Sequence, residues 1–180
     1  MRKTIFAEGE YYHLYNRGVD KRIVFTTPAE YRRFCTYLKM INTTQEIRPS
    51  NTLRYAKHQH ETLKQQEIPL VAIGAYCLMP NHFHILATPL VEGGISKFMQ
   101  RLQTAYTMYF NIKHQRTGSL FQGTFKSEHA NHDNYLKYLF AYIHLNPAKL
   151  FDSDWKSKGP HDLEKLTTQL EEYRYSSLPE

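Results

Sequence analysis

The sequence predicts an α+β domain with an antiparallel sheet, on three observations. Residues 70–78 form an unbroken apolar run that turns at Met79-Pro80-Asn81 into a second strand-like segment, 82–88, the pattern of a hairpin. Ile95, Phe98, Met99, Leu102, Tyr106, Tyr109 and Phe110 fall on one helical stripe, with Lys97 and Arg101 off it. The segments follow one another as strand, helix, strand, strand, helix, strand, helix.

Each element has a local reason. Tyr11-Tyr12-His13-Leu14-Tyr15-Asn16 is rich in strand formers and closes on a turn at Arg17-Gly18. Thr27-Pro28-Ala29-Glu30 starts a helix: Thr27 can cap it, Pro28 sits where no amide is missed, and Glu30 can close a capping box. That helix is expected to reach about Thr44. Residues 45–67 are polar and charged, with Arg48-Pro49-Ser50-Asn51 among them, and fit a loop or a solvated helix. After the 95–110 helix, residues 121–129 are expected to form the fourth strand. Leu136, Leu139, Phe140 and Ile143 then mark a short helix, capped by Asn131 or Asp133 and stopped near Pro147. From Phe151 onward the chain is polar, with one helical patch at 163–170. A βαββαβ order is the ferredoxin-like arrangement, an antiparallel sheet with helices on one face and the first and third strands central; here a further C-terminal helix follows. One domain over 1–150 with a tail, 151–180, packed on it is the expected organisation.

Composition narrows the function. Hydrophobic residues make up 41% of the chain, enough for a buried core and too many for wholesale disorder. The longest apolar run, 69–79, is far short of the roughly 18 residues of a membrane helix, and the N-terminal residues lack the apolar stretch of a signal peptide. Cys35 and Cys77 are too few for a disulfide scaffold or a cysteine-built zinc site, so a reduced, cytoplasmic protein is expected. The net charge of +6 and pI near 9.2 favour a polyanionic partner. Fourteen tyrosines offer rings that can stack on unpaired bases, although most tyrosines in such a domain fill its core.

His82-Phe83-His84 is the chemical signal. On a strand, residues two apart share a face, so Phe83, Ile85 and Ala87 would turn to the core while both imidazoles project together, close enough to hold one cation. Two histidines at a polar sheet surface would look the same. His58-Gln59-His60 has the same spacing but sits in a charged stretch with nothing to fix its geometry. Tyr142 and Asn146, four apart, lie one above the other on the last helix. If that helix covers the histidine face, Asn146 can complete a metal shell and Tyr142 can face a group bound there; Pro147 disfavours helical geometry at Asn146. A core role for Tyr142 fits its position equally.

Tyr76-Cys77-Leu78-Met79-Pro80-Asn81-His82-Phe83-His84-Ile85-Leu86 resembles the histidine–hydrophobic–histidine motif of single-tyrosine transposases. Gly118-Ser119-Leu120-Phe121-Gln122-Gly123-Thr124-Phe125-Lys126-Ser127 and Tyr142-Ile143-His144-Leu145-Asn146-Pro147 resemble two further blocks, in the family's order. Asn16-Arg17-Gly18 and Tyr173-Arg174-Tyr175-Ser176-Ser177 are similar to the REP-associated branch, although Val19 and Thr124 depart from its usual pattern. The resemblance implies a ferredoxin-like enzyme that cuts and rejoins single-stranded DNA beside hairpin-forming repeats. It makes Tyr142 the nucleophile on a catalytic C-terminal helix, and His82, His84 and Asn146 the ligands of magnesium or manganese. The donor set alone suits manganese, zinc or nickel. Free tyrosine, with a pKa of ~10, is only about one part in a thousand ionised at pH 7, so a cation that polarises the phosphate would help. The chain has no Gly-rich nucleotide loop, which fits an exchange that conserves bond energy in a 5′-phosphotyrosine.

Arg17, Lys21, Arg22, Arg101, Lys113, Arg116 and Lys126 are candidate phosphate contacts, Lys126 foremost because it lies inside a family block. His13 and His144 have no assigned role, and monomer and homodimer are both open. Two other readings compete: a non-catalytic ferredoxin-like nucleic-acid binder, and a metal phosphodiesterase that uses water. The first lacks the basic-Gly-aromatic strand motif of RNA-recognition domains. The second would turn over without trapping an intermediate.

Overall fold

The computed structural model describes residues 5–47 and 68–179. Strands β1 (Tyr12–Arg17), β2 (Val71–Met79), β3 (His82–Pro89) and β4 (Lys126–His129) form one antiparallel sheet in the order β2-β3-β1-β4, so β1 and β3 are central as expected. Helices α1 (Pro28–Met40) and α2 (Gly94–Lys113) cover one face. Helix α3 (Asp133–Leu145) covers the other, with short helices α4 (Ala148–Phe151), α5 (Trp155–Lys158) and α6 (Leu163–Glu171) following.

The alternation in β3 sets the two faces apart. Phe83, Ile85 and Ala87 join Tyr12, Leu14 and the stripe Ile95, Phe98, Met99, Leu102, Tyr106 and Phe110 in the larger core. On the other face Leu86, Ala75, Cys77 and Met79 pack under Leu139 and Ile143 of α3. Slipping β3 by one residue would drive both imidazoles in among the phenylalanines of the larger core and turn Phe83 and Ile85 out of it to the α3 side. With each fully buried side chain of that size stabilising by ~1.5–3 kcal/mol, the register is strongly specified. The hydrophobic pattern therefore also dictates where the histidines point.

Several expectations need correction. Helix α1 ends at Met40 rather than near Thr44, because Asn42 turns its side chain to the edge of β2, accepting from the Leu70 and Val71 amides and donating to the Val71 carbonyl. The fourth strand is confined to Lys126–His129. Residues before it run as a loop, with Gly123 in the left-handed region (φ 64°) and Phe121 making only an isolated bridge to Gly18. His132, not Asn131 or Asp133, caps α3, its ring Nδ1 accepting from the Tyr135 amide. Of the apolar residues that mark this helix, Leu139 and Ile143 are buried and Phe140 is exposed. Asn146 keeps helical geometry (φ −55°, ψ −41°) despite Pro147, and the chain continues directly into α4. His58-Gln59-His60 and most of 45–67 lie outside the described residues. No helix among the described residues is long and apolar enough to cross a membrane.

The C-terminal residues pack back on the sheet. Ser176 bridges Cys77, the Leu78 amide donates to the Tyr175 carbonyl (2.9 Å), the Ser177 amide donates to the Tyr76 carbonyl (3.0 Å), and the Tyr173 hydroxyl donates to the Leu78 carbonyl (2.6 Å). This covers the outer edge of β2, whose open amides and carbonyls would otherwise invite pairing.

Glu30 ties α1 to α2. Its fully buried carboxylate accepts from Lys113 Nζ (2.7 Å) and His114 Nε2 (2.7 Å) and reaches back to the Thr27 amide (3.3 Å). Burial alone would raise its pKa, but the bonds from Lys113, Thr26 and His114 outweigh that and hold it down at about 2. A carboxylate so depressed contributes stability that is full above its unfolded value of 4.5 and drains away as pH falls toward 2. Glu30→Gln is expected to destabilise the fold by ~3 kcal/mol at pH 7 and to flatten that acid limb, as read from urea unfolding at pH 7 and pH 3.

Candidate active site

On the α3 side of the sheet, register places His13, Tyr15 and Arg17 of β1 beside His84, His82 and, across β4, Glu128 and Lys126. The end of β1 is locked to its neighbours. The Gly18 amide donates to the Asn81 carbonyl (2.9 Å), Gln122 N to the Arg17 carbonyl (2.8 Å), and buried Asn16 donates to the Gly123 carbonyl (3.0 Å). A Cβ at Gly18 would lie 2.5 Å from the Arg22 carbonyl oxygen, so only glycine permits this approach. The blocks around residues 16–18, 79–82 and 118–123 thus form one corner of the fold beside the histidines.

His82 and His84 project together, ring centroids 5.0 Å apart, and the Tyr142 ring stands edge-on 5.5 Å from His84 and 6.0 Å from His13. The structure therefore brings Tyr142 to the histidine pair. Asn146 lies one turn on at the end of α3; its Nδ2 donates to the Tyr142 carbonyl (2.8 Å), which commits the nitrogen and leaves the oxygen as the donor suited to a hard cation.

The imidazoles are held neutral. Burial pushes His82 down to about 4, with Arg17 and Lys149 adding to the effect. Burial also pushes His13 down to about 4, against the pull of Glu128. His84, only 5% exposed, is driven well below the usual histidine value by burial, then by His13, His82 and Arg17. Neutral rings keep a lone pair for a metal. His82 Nδ1 lies 2.6 Å from Asn81 Oδ1, and His84 Nδ1 lies 2.8 Å from His13 Nε2. His84 Nε2 is buried without a hydrogen-bond partner, an orphan that a cation would satisfy. Among the described residues no three or more His, Cys, Asp or Glu side chains converge as a ligand set.

The candidate cations divide into groups. Arg17 sits at the histidines, directly opposite His82 in the sheet register, and Lys126 shares their face. Lys21 and Arg22 lie in the turn behind Asn81, where the Lys21 carbonyl accepts from Asn81 Nδ2 and Arg22 bonds the Val19 carbonyl. Arg101, Lys113 and Arg116 are not brought to the site. Arg101 holds the Thr43 and Gln45 carbonyls (2.6 Å each), Lys113 holds Glu30, and Arg116 bonds Asn111 while lying over the Phe110 ring. Sequence reasoning missed two cations near the site: Lys149, whose charge acts on His82, and Lys156, whose Nζ is 5.1 Å from the Tyr142 ring centroid. Both follow Asn146 in a stretch with no motif. The alternation His13, Tyr15, Arg17 was a visible signal for the β1 contribution.

The family model described as IS200-like transposase matches residues 10–146. The chain belongs to the IS200-like transposase family. No curated protein sequence matches it. In fold it is similar to a solved REP-associated tyrosine transposase bound to a REP hairpin, at 15% identity and a TM-score of 0.53, over 83% of this chain and 73% of that one. The ferredoxin-like architecture of this IS200-like transposase is thus shared with that structure.

Proposed function

We propose that this family member is a metal-dependent enzyme that cleaves and rejoins single-stranded DNA beside hairpin-forming repeats, as in the REP-associated branch, with Tyr142 as nucleophile. The observation that carries the reading is the convergence of the Tyr142 ring on His82 and His84, from segments far apart in the chain. The residues fit a divalent cation: two neutral imidazoles, one with a buried unpartnered Nε2, and the Asn146 amide oxygen would hold magnesium or manganese. When bound, such an ion polarises the scissile phosphate and offsets its developing negative charge.

The protein's own groups do the rest. Tyr142 Oη attacks phosphorus, the bond to the 3′ oxygen breaks, and that oxygen leaves as a hydroxyl after taking up a proton, while the phenol proton passes to solvent. The 5′ phosphate stays on Tyr142, and a second 3′ hydroxyl can reverse the step without any nucleotide cofactor. Arg17, Lys149 and Lys156 gather positive charge around the histidines and the tyrosine, where a phosphate would sit. Lys126, on the same face, would extend this charge along the strand.

The hairpin ligand of the structural neighbour supports a hairpin substrate here. The experiment is covalent capture. A hairpin-forming single strand labelled at its 3′ end, incubated with the full chain and Mn²⁺, is expected to leave label on the denatured protein. Repeated cleavage with no label retained would favour the water-using phosphodiesterase, and binding without cleavage the non-catalytic module.

A further inference from the structure

Resting on the metal reading above, we propose that His13 is a positioning residue which, backed by Glu128, fixes the His84 ring in the tautomer that presents its Nε2 lone pair to a divalent cation. The two imidazoles are stacked at 21°, and His13 Nε2 is 2.8 Å from His84 Nδ1, so one proton lies between them. Both rings are buried, at 4% and 5% exposure. Their outer nitrogens, His13 Nδ1 and His84 Nε2, have no hydrogen-bond partner in the protein.

The shared proton can be placed in two ways. If His84 Nδ1 donates, its Nε2 carries a lone pair, and His13 keeps its own proton on Nδ1, directed toward Glu128 Oε2 at 4.0 Å. If His13 Nε2 donates instead, the His84 proton moves to Nε2 and becomes a buried N–H with no acceptor. His13 Nδ1 then turns a lone pair toward a carboxylate. Either arrangement leaves one buried N–H without a hydrogen-bond acceptor, so the Glu128 charge decides between them. The first points that N–H at the carboxylate, whereas the second sets the His13 lone pair against it and leaves the His84 N–H facing no acceptor at all. Two tyrosines hold Glu128 in position. The Tyr15 hydroxyl donates to Oε1 (2.8 Å) and the Tyr135 hydroxyl to Oε2 (3.0 Å), from β1 and α3 respectively.

His82 shows the same arrangement with a simpler partner. Asn81 Oδ1, 2.6 Å from His82 Nδ1, can only accept, because Asn81 Nδ2 donates to the Lys21 carbonyl. Each histidine of the pair thus has Nδ1 engaged by a neighbour that is not itself a ligand, leaving Nε2 for the ion. Such outer partners fix tautomer and ring orientation, and losing one typically weakens metal affinity 10–100-fold.

The test uses the full chain with Mn²⁺ alone, titrated by electron paramagnetic resonance, together with long-range ¹⁵N spectra of the histidine rings without metal. Wild-type His84 is expected to carry its proton on Nδ1. His13→Met, which fills similar space without an acceptor, is expected to lose that signature and bind Mn²⁺ 10–100-fold more weakly; His13→Gln, whose amide oxygen restores the acceptor, should recover to within about threefold of wild type. Wild-type His84 protonated on Nε2, or Mn²⁺ binding that depends on His84 but not on His13, overturns this assignment alone. Equal binding by wild type and His84→Ala overturns the metal site and this assignment with it. Should His13→Met not fold, the wild-type ring spectrum decides: a proton on Nδ1 supports the assignment and one on Nε2 defeats it.

Discussion

Tyr142→Phe is expected to cut formation of the covalent protein–DNA product by at least ~10³-fold while leaving hairpin affinity and the thermal midpoint close to wild type. The expectation rests on how the ring is held. Tyr142 is half-buried; it stacks on Tyr138 at 5.9 Å, meets His84 edge-on at 5.5 Å, and lies under Lys156. Phenylalanine keeps each of these ring contacts and removes a single oxygen, so packing changes little and the chemistry loses its attacking atom. Gel-resolved capture of 3′-labelled hairpin, alongside melting curves, reads both quantities. If label stays on the variant, the nucleophile is elsewhere on α3, and Tyr138 is the neighbour to test next.

The second large effect belongs to the histidine pair. His82→Ala with His84→Ala is expected to remove Mn²⁺ binding and to slow cleavage by ~10²–10⁴-fold, the equivalent of several kcal/mol of charge stabilisation in the transition state. Hairpin binding should persist, because Arg17, Lys149 and Lys156 remain. A third readout follows from protonation. Both rings, like His13, are held below the ordinary histidine value by burial. A depressed histidine contributes stability that is full above its unfolded value of 6.5 and drains away as pH falls toward about 4. The double variant is therefore expected to lose less thermal stability between pH 6.5 and pH 4 than the wild type does. A cleavage rate unchanged in the double variant would remove the metal from the mechanism.

Much of the frame was legible because its signals are local. Alternation placed Phe83, Ile85 and Ala87 opposite His82 and His84, and the packing follows that division. Helical spacing put Tyr142 and Asn146 on one helix, and the Thr27–Glu30 start of α1 appears where its capping chemistry required. The errors have physical causes too. Residues 121–125 had strand-like composition, yet Gly123 takes a left-handed turn and Asn16 pins its carbonyl, so the strand begins later. Arg101 and Lys113, candidates on charge alone, are engaged within the protein by the carbonyls of Thr43 and Gln45 and the carboxylate of Glu30.

By itself, then, the sequence determined the run of elements, the shared face of the histidine pair and the helix that carries Tyr142, since periodicities of two and 3.6 are properties of the backbone over a few residues. Only the tertiary structure decided that α3 covers the histidine face while α1 and α2 take the other. It alone joined His13 to His84 across 71 residues and set Glu128, Lys149 and Lys156 around them. Those contacts come from docking separate elements on a sheet, and no spacing within one element encodes a partner on another.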